Sequence, residues 1–320
     1  MEKCQRETCF APEIGCDLGN TNLSNCPLWR GAQQNETIEG DYSEEVRLPW
    51  SGSALGLADL GFVSGRKRPI IIGVVGPQNA GKTTLLAAWY LLVGRGLASL
   101  GGRLFSGSYT LSGWEAVAGA MRWSPGHTPG FPAHTTSRGG RAPGMLHLAF
   151  KREDGRSIDY LFTDAPGEWF QKWALNAGSP EGEGARWIST NADAFLIIAD
   201  REALSGQSMG SARGSLQFLA KRLGAELGDR PVALVWTKAD VKIAPEMETA
   251  VRRAVGNAMP SFDEHYVSVV EEVDADHHHN NGQALTRLLR WALDIERPKI
   301  NLPPLKTTSS DPFFMLGESQ

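Results

Sequence analysis

The stretch IIIGVVGPQNAGKT, residues 70–83, decides the fold of this chain. Its first six residues form a β-branched run, which is typical of a strand buried on both faces. The next eight match the pattern G-x-x-x-x-G-K-[ST], and residues 82–97 have the composition of a helix. A strand, a glycine-rich turn and a helix in this order predict a loop whose backbone N–H groups surround phosphate groups. A chance glycine-rich turn is the alternative, and the two flanking elements disfavour it.

The polar residues of this loop have predicted tasks. The Lys82 ammonium supplies a positive charge to the β- and γ-phosphates of a nucleotide, so it is a candidate catalytic residue as well. The Thr83 hydroxyl is a candidate ligand for Mg²⁺. The candidate nucleotide-binding residues of the loop and the helix start are Gly76, Asn79, Ala80, Gly81, Lys82, Thr83 and Thr84.

Strand and helix patterns alternate along the rest of the chain. Two alternating runs, 145–151 and 157–162, flank Asp154-Gly155, a turn sequence that favours a β-hairpin. Further strands are predicted at 194–199, 231–236 and 266–270, and helices at 111–123, 211–227, 245–259 and 283–295. This order predicts an α/β fold with a doubly wound, mostly parallel sheet and an early antiparallel hairpin.

Composition divides the chain into four parts. Residues 1–30 are a Cys-rich segment with too few large apolar residues to bury a core, and 31–68 are a polar linker. Residues 69–296 are the nucleotide-binding domain, and 297–320 are an irregular C-terminal tail. Inside the domain, the Gly- and Pro-rich residues 123–144 indicate a mobile loop.

Charge and hydropathy limit the partners and the location of the protein. The net charge of −4 argues against a nucleic acid or an anionic membrane as partner. No apolar run approaches the roughly 18 residues of a membrane span. The N-terminal residues lack the apolar core of a secretory signal. We therefore expect a cytoplasmic protein.

A second motif, Asp164-Ala165-Pro166-Gly167, follows the second hairpin strand. A carboxylate at this strand end can hold Mg²⁺, directly or through water. The backbone N–H of Gly167 can contact the γ-phosphate, and its glycine backbone can act as a pivot. An ordinary strand-ending turn is the alternative, which the preceding phosphate loop disfavours.

A third motif, Thr237-Lys238-Ala239-Asp240, follows a predicted strand and bears on the choice of base. The Asp240 carboxylate can accept hydrogen bonds from the two donors on the Watson–Crick edge of guanine. Adenine presents a different edge and would leave buried polar groups unpaired. The Lys238 stem can lie along the base plane. We therefore expect Thr237, Lys238 and Asp240 to select guanine.

The order of these three motifs resembles that of the Ras-like and translation-factor-like P-loop GTPases, over about residues 69–295. The resemblance implies GTP and GDP as ligands, Mg²⁺ as cofactor and two switch loops. It places a magnesium-binding, catalytic Thr at Thr135 or Thr136, with Thr136 preferred, and a base-contacting residue at Ser268. Gly167 and Glu168 become candidate catalytic residues.

The chain departs from that pattern in two places. The segment from Lys82 to Thr136 is much longer than in Ras-like proteins, and Glu168 stands where they have a water-orienting Gln. The negative charge of Glu168 repels the γ-phosphate, which predicts slow intrinsic hydrolysis. Arg138 and Arg141 are either transition-state contacts or, as the simpler alternative, solvated loop residues.

Two segments have the composition of metal sites. The four cysteines, Cys4, Cys9, Cys16 and Cys26, suit tetrahedral Zn²⁺, although they lack a C-x2-C pair. Free thiols in a flexible arm are the alternative. Residues 274–279, DADHHH, could also hold a metal, but a solvated charged loop is the preferred interpretation.

The aromatic residues Trp169, Phe170 and Trp173 are either a partner-binding surface or the packing face of a helix. The Cys-rich leader, the long insertion and the sequence DAPGEWF resemble the second-type double-GTPase proteins of prokaryotic conflict systems. This resemblance implies a second GTPase or a GTPase regulator as partner. The leading hypothesis is a GTP-hydrolysing switch. A nucleotide-bound scaffold with negligible turnover, and an ATPase, are the alternatives.

Overall fold

The structure is a computed structural model that describes residues 3–4, 29–30, 54–65, 67–122, 125, 128–132, 143–270 and 281–297. The chain forms two compact units, Met1–Leu48 and Pro49–Gln320. In the first unit, strand β1 (Lys3–Cys4) pairs antiparallel with strand β2 (Trp29–Arg30).

The second unit alternates helices and strands. Its helices and strands in chain order are α1 Leu60–Val63, β3 Ile70–Val75, α2 Lys82–Gly94, β4 Leu104–Gly107, α3 Leu111–Ala118, β5 Gly144–Lys151, β6 Ser157–Asp164, α4 Gly167–Leu175, α5 Glu183–Asn191, β7 Ala194–Asp200, α6 Arg201–Ser205, α7 Met209–Gly224, β8 Val232–Thr237, α8 Pro245–Ala258, β9 Asp263–Tyr266 and α9 Asn281–Leu293. Short 3-10 turns lie at Leu57–Asp59, Gly119–Met121 and Pro180–Gly182.

The seven strands β3 to β9 form one sheet in the order β4-β5-β6-β3-β7-β8-β9. Strands β6, β3, β7, β8 and β9 pair in parallel, whereas β5 pairs antiparallel with both β4 and β6. The predicted α/β fold, with its mostly parallel sheet and early antiparallel hairpin, is confirmed.

The central strand β3 is buried on both faces, and its side chains alternate between two apolar cores. Ile71 and Val75 belong to the core that α4, α5, α7 and α8 cover. Ile70, Ile72 and Val74 belong to the core on the opposite face, which α2, α3 and α9 cover. Helices on both faces of a parallel sheet explain why this strand consists almost entirely of β-branched residues. Among the described helices, none has the length and apolar character needed to cross a bilayer.

The aromatic residues after the second motif lie on helix α4, and the packing interpretation describes them correctly. Trp169, Phe170 and Trp173 are 8%, 1% and 0% exposed and belong to the core beside α5 and α7. They therefore offer no exposed aromatic surface in this conformation.

The last strand lies earlier than the predicted 266–270, at Asp263–Tyr266. Its polar sequence DEHY is explained by its place at the sheet edge, where only one side pairs with a neighbour. The more apolar residues that follow form a loop, and its Val267 N–H still donates to the Trp236 carbonyl at 2.8 Å. The other edge strand, β4, was not predicted, because four residues carry too little periodic signal.

The domain includes residues on both sides of its predicted limits. Leu55 and Val63, from the predicted linker, are 0% and 4% exposed in the core. Leu55 also exchanges two backbone hydrogen bonds with Met145, at 2.9 and 3.0 Å. Arg297, from the predicted tail, forms an ion pair with Asp193.

Candidate nucleotide-binding site

A cleft of about 470 Å³ lies at the carboxyl ends of the parallel strands β3, β6 and β8. Ligands of open α/β sheets bind at this edge, because the loops that follow neighbouring strands meet there. The predicted site residues that line it are Asn79, Ala80, Gly81, Lys82, Thr83, Thr84, Gly167, Thr237, Lys238, Asp240 and Ser268. The three sequence motifs therefore meet in one cleft.

The phosphate loop has the backbone that its glycines predict. Gly81 has φ +84° at the start of α2, and Asn79 has φ +61°. A Cβ at Gly76 would lie 2.9 Å from Ile198 Cβ, so only glycine fits where the loop leaves β3. The N-cap residue of helix α2 is Gly81, which has no side chain to cap the helix, and a helix N-terminus attracts anions.

Lys82 is buried at the base of this loop. Its ammonium donates to the carbonyls of Gly76 at 3.1 Å and Pro77 at 2.7 Å. Burial lowers the pKa of Lys82 to about 8, and the nearby Asp164 carboxylate opposes that change. A phosphate group at this position would stabilise the protonated amine.

Thr83 and Asp164 meet although they are 81 positions apart. The Thr83 hydroxyl donates to Asp164 Oδ1 at 2.9 Å. The two residues follow β3 and end β6, which are neighbouring parallel strands. A hydroxyl and a carboxylate are hard oxygen ligands, so the pair fits the chemistry of Mg²⁺.

Gly167 lies directly against the phosphate loop. A Cβ at this position would be 2.1 Å from the Gln78 nitrogen and 2.3 Å from the Pro77 carbonyl carbon. The beginning of α4 and the loop therefore touch through backbone atoms. Glu168, the next residue, is exposed and is not among the described residues that line the cleft.

The third motif is attached to the phosphate loop and to the loop after β9. The buried Thr237 hydroxyl donates to the Ala80 carbonyl at 2.8 Å. The Ser268 hydroxyl donates to Asp240 Oδ1 at 2.5 Å, and Ser268 is 5% exposed. The Ser268 bond orients the Asp240 carboxylate, which lines the same cleft as Gly167.

Lys238 makes two ion pairs that the sequence did not suggest. Its ammonium lies 2.8 Å from Asp200 Oδ2 and 2.8 Å from Glu202 Oε2. Burial lowers the pKa of Lys238, but these two carboxylates, at the end of β7 and the start of α6, outweigh it and raise the pKa above its usual value. A strand-ending Asp that caps the next helix is the only local signal for this contact, since Asp200 accepts from the Glu202 N–H at 3.0 Å.

The predicted mobile loop, residues 123–144, contributes to the cleft wall. Phe131 and Pro132 line the cleft, and Phe131 is 66% exposed. An exposed aromatic ring beside a nucleotide-sized cleft can pack against a base or a sugar. Phe131 belongs to none of the three sequence motifs.

Several predicted residues lie outside what the structure describes. Thr135, Thr136, Arg138, Arg141, Cys9, Cys16, Cys26, residues 274–279 and the side chain of Cys4 are in this set. Among the described residues, no group of three or more His, Cys, Asp or Glu side chains could hold a metal ion. The zinc and first-switch assignments stay predictions.

Comparisons with known proteins give one family match. A family model described as Double-GTPase 2 matches residues 70–292. No curated protein matches the sequence. A solved structure of a mutation variant of SsGBP is 14% identical with a TM-score of 0.36, over 73% of this chain and 58% of that chain. This chain thus spans little more than half the length of that protein.

Proposed function

Because the chain belongs to the Double-GTPase 2 family, we propose that it binds GTP and GDP in this cleft and hydrolyses GTP to GDP and phosphate with Mg²⁺. The resemblance to second-type double-GTPase proteins extends this proposal. The chain would act as a switch with a protein partner, either a second GTPase or a GTPase regulator, in a cytoplasmic bacterial conflict system.

One observation carries the proposal: the phosphate loop and the base-selecting motif are joined. The Thr237 hydroxyl donates to the Ala80 carbonyl at 2.8 Å, which sets the distance between the two halves of the cleft. Lys82 and the N–H groups of the loop would bind the phosphates at one end. Asp240 would accept from the guanine N1–H and 2-amino groups at the other, oriented by Ser268.

Thr83 and Asp164 would hold the metal, with Thr136 as the proposed third protein ligand. Bound Mg²⁺ supplies charge neutralisation at the β- and γ-phosphates. In the hydrolytic step, the oxygen of a water molecule bonds to the γ-phosphorus while the bond to the β–γ bridging oxygen breaks. GDP keeps the electron pair of that bond, and the water's proton passes to solvent. Gly167 would contact the γ-phosphate through its backbone N–H, so loss of phosphate would release its contact with the nucleotide.

Nucleotide titration and single-turnover hydrolysis test the proposal. We expect the wild-type chain to bind GDP and GTP more tightly than ATP, and to convert GTP to GDP in the presence of Mg²⁺. Lys82→Ala removes the positive charge that faces the phosphates, so it should abolish both nucleotide binding and GTP hydrolysis. Lys172→Ala is the matched control, because the ammonium of that lysine forms an exposed ion pair with Glu181. Hydrolysis that is equally fast in the wild-type chain and in Lys82→Ala would exclude catalysis of GTP hydrolysis by this site.

The preference for guanine is tested separately with Asp240→Asn. The amide of Asn can donate to the C2 carbonyl of xanthine, but it cannot accept both guanine donors. We expect affinity for GDP to fall about 100-fold or more and affinity for xanthosine diphosphate to rise. An ATPase would bind ATP more tightly than GTP and would be indifferent to this substitution.

A nucleotide-bound scaffold is the second candidate function. Glu168, in the position where related GTPases orient water, carries a charge and is outside the cleft lining. A scaffold predicts tight GTP binding with a single-turnover rate no faster than that of Lys82→Ala. Measurable hydrolysis above that level would exclude it.

A further inference from the structure

We propose that Arg201 is a positioning residue for guanine recognition, because it fixes the backbone of the loop that carries Asp240. The inference rests on the proposed guanine-nucleotide function and concerns residues 237–241, called the base loop below. Arg201 belongs to none of the three sequence motifs.

Arg201 contacts the base loop next to Asp240. Its Nε donates to the Val241 carbonyl at 2.7 Å. The Val241 N–H in turn donates to the Lys238 carbonyl at 2.9 Å, which closes the loop into a turn. A charged donor on a backbone carbonyl is stronger than a neutral hydrogen bond. The contact therefore holds the far end of the turn in which Asp240 lies.

Arg201 is itself held rigidly. Its side chain is 11% exposed, and Nη1 pairs with Glu248 of α8 at 2.7 Å. The guanidinium carbon also lies 5.7 Å from the ring centre of Tyr266 on β9. Glu248 of α8 and Tyr266 of β9 both contact the guanidinium, so the packed domain sets its position. The base loop in turn is positioned by its bond to this guanidinium.

Contacts along the whole base loop hold it in place, including the Lys238 ion pairs with Asp200 and Glu202 and the Ala239 N–H bond to the Val267 carbonyl at 3.1 Å. Thr237 bonds the phosphate loop, Asp240 bonds Ser268, and Val241 bonds Arg201. Guanine recognition needs both Asp240 carboxylate oxygens in the plane of two donors, so small rotations of the turn weaken it. Phosphate binding depends on residues 76–84 and does not need this alignment. Arg201 should therefore affect base discrimination more than phosphate binding.

Arg201→Met tests the inference, because methionine keeps the apolar stem and removes the donor. Affinities for GDP and inosine diphosphate, which lacks the 2-amino donor, are measured by titration. We expect GDP affinity to fall about tenfold and inosine diphosphate affinity to fall less, so that the preference for GDP shrinks. Arg201→Lys keeps the charge without the planar fork and should give an intermediate preference.

Arg252→Met is the matched control. Arg252 pairs with Glu248 at 2.8 Å and with Glu264 at 2.7 Å, within the same network, and among the described residues its hydrogen bonds go to α8 and β9 rather than to the base loop. We expect it to lower the melting temperature and to leave the GDP preference unchanged.

Two outcomes would overturn the inference, and a third would refute the function on which it rests. An unchanged preference in both Arg201 variants would show that the residue only stabilises the fold. An equal loss of preference in Arg252→Met would assign the effect to the whole network. Absence of any GDP preference in the wild-type chain, or no effect of Asp240→Asn, would instead refute the proposed function on which the inference rests.

Discussion

Lys82 combines a positive charge with a buried position, and the two together make nucleotide binding depend on pH. Burial lowers its pKa to about 8, so the amine of the nucleotide-free protein loses its proton above that pH. Only the protonated amine attracts phosphate, and bound phosphate raises the pKa. Binding is therefore coupled to proton uptake.

We expect affinity for GDP to be nearly constant below about pH 7.5 and to fall as pH rises from about 8 to 9, by up to about tenfold per unit. Titrations at constant ionic strength check the trend. Lys82→Arg stays charged throughout this range and should bind with little dependence on pH. A flat profile in the wild-type chain would contradict the assignment of Lys82 to the phosphates.

Gly167 is constrained by contact as well as by its motif. Gly167→Ala would place a Cβ 2.1 Å from a backbone nitrogen of the phosphate loop, which cannot move without disturbing that loop. We expect a loss of about 1–3 kcal/mol in unfolding free energy and weaker GTP binding, measured by denaturant titration and nucleotide titration.

Gly210→Ala is the control for this change, because a Cβ there meets nothing within 4 Å. It should leave GTP binding unchanged and leave the stability equal or slightly higher. Equal behaviour of the two variants would show that the close contact between α4 and the phosphate loop is not maintained in solution.

At the scale of elements, the crossing of α7 over α8 depends on one glycine. A Cβ at Gly224 would lie 2.2 Å from the Ala258 carbonyl oxygen, at the ends of the two helices. Gly224→Ala should push the helices apart and lower the unfolding free energy by about 1–3 kcal/mol, measured by chemical denaturation.

The same helix offers a matched substitution. Gly214 also lies in α7, and a Cβ there meets nothing within 4 Å. Gly214→Ala should raise stability by about 0.5–1 kcal/mol through helix propensity. If both alanines stabilise the protein, the helices are not as close as the structure places them.

Helix α4 shows that a motif and its structural element can suggest different roles. From the sequence, Trp169, Phe170 and Trp173 were either a partner-binding surface or the packing face of a helix. Their spacing puts them on one face of the helix, and that face is buried against α5 and α7. If Gly167 moves, helix α4 must either move with it as a unit or lose part of its packing against α5 and α7. A close-packed core does not deform continuously.

For the whole molecule, the beginning of the central strand is tied to the last described residues. Arg297 donates to Asp193 Oδ1 through Nε at 2.6 Å and to Oδ2 through Nη2 at 2.5 Å. Asp193 Oδ2 also accepts from the Ile71 N–H at 2.8 Å. This contact joins parts of the chain that are more than 100 positions apart, since Arg297 and Asp193 are separated by 104.

Arg297→Met should lower the unfolding free energy by about 3 kcal/mol, because the mostly buried Asp193 carboxylate would lose its ion-pair partner. Arg152→Met is the comparison, since Arg152 pairs with Glu296 at the surface, and it should cost at most about 1 kcal/mol. Urea denaturation of the three proteins measures the difference. Similar losses in both variants would contradict a special role for Arg297.

Much of the site could be predicted because each motif is local. The residues of GPQNAGKT, DAPG and TKAD are consecutive, and each follows a strand whose burial is visible as an apolar run. Ser268 was predicted only through the family resemblance, and its bond to Asp240 joins residues 28 positions apart. Asp200, Arg201 and Phe131 were missed because an isolated polar or aromatic residue carries no periodic signal.

By itself, the sequence determined the α/β fold class, the phosphate loop and the order of the three motifs, since these depend on the chemistry and spacing of neighbouring residues. Only the tertiary structure decided which distant side chains meet them, such as Asp200 with Lys238 and Arg201 with Val241. It also decided that the α4 aromatics are buried. The physical reason is that local propensities act over a few residues, whereas these contacts exist only after the sheet brings its strand ends together.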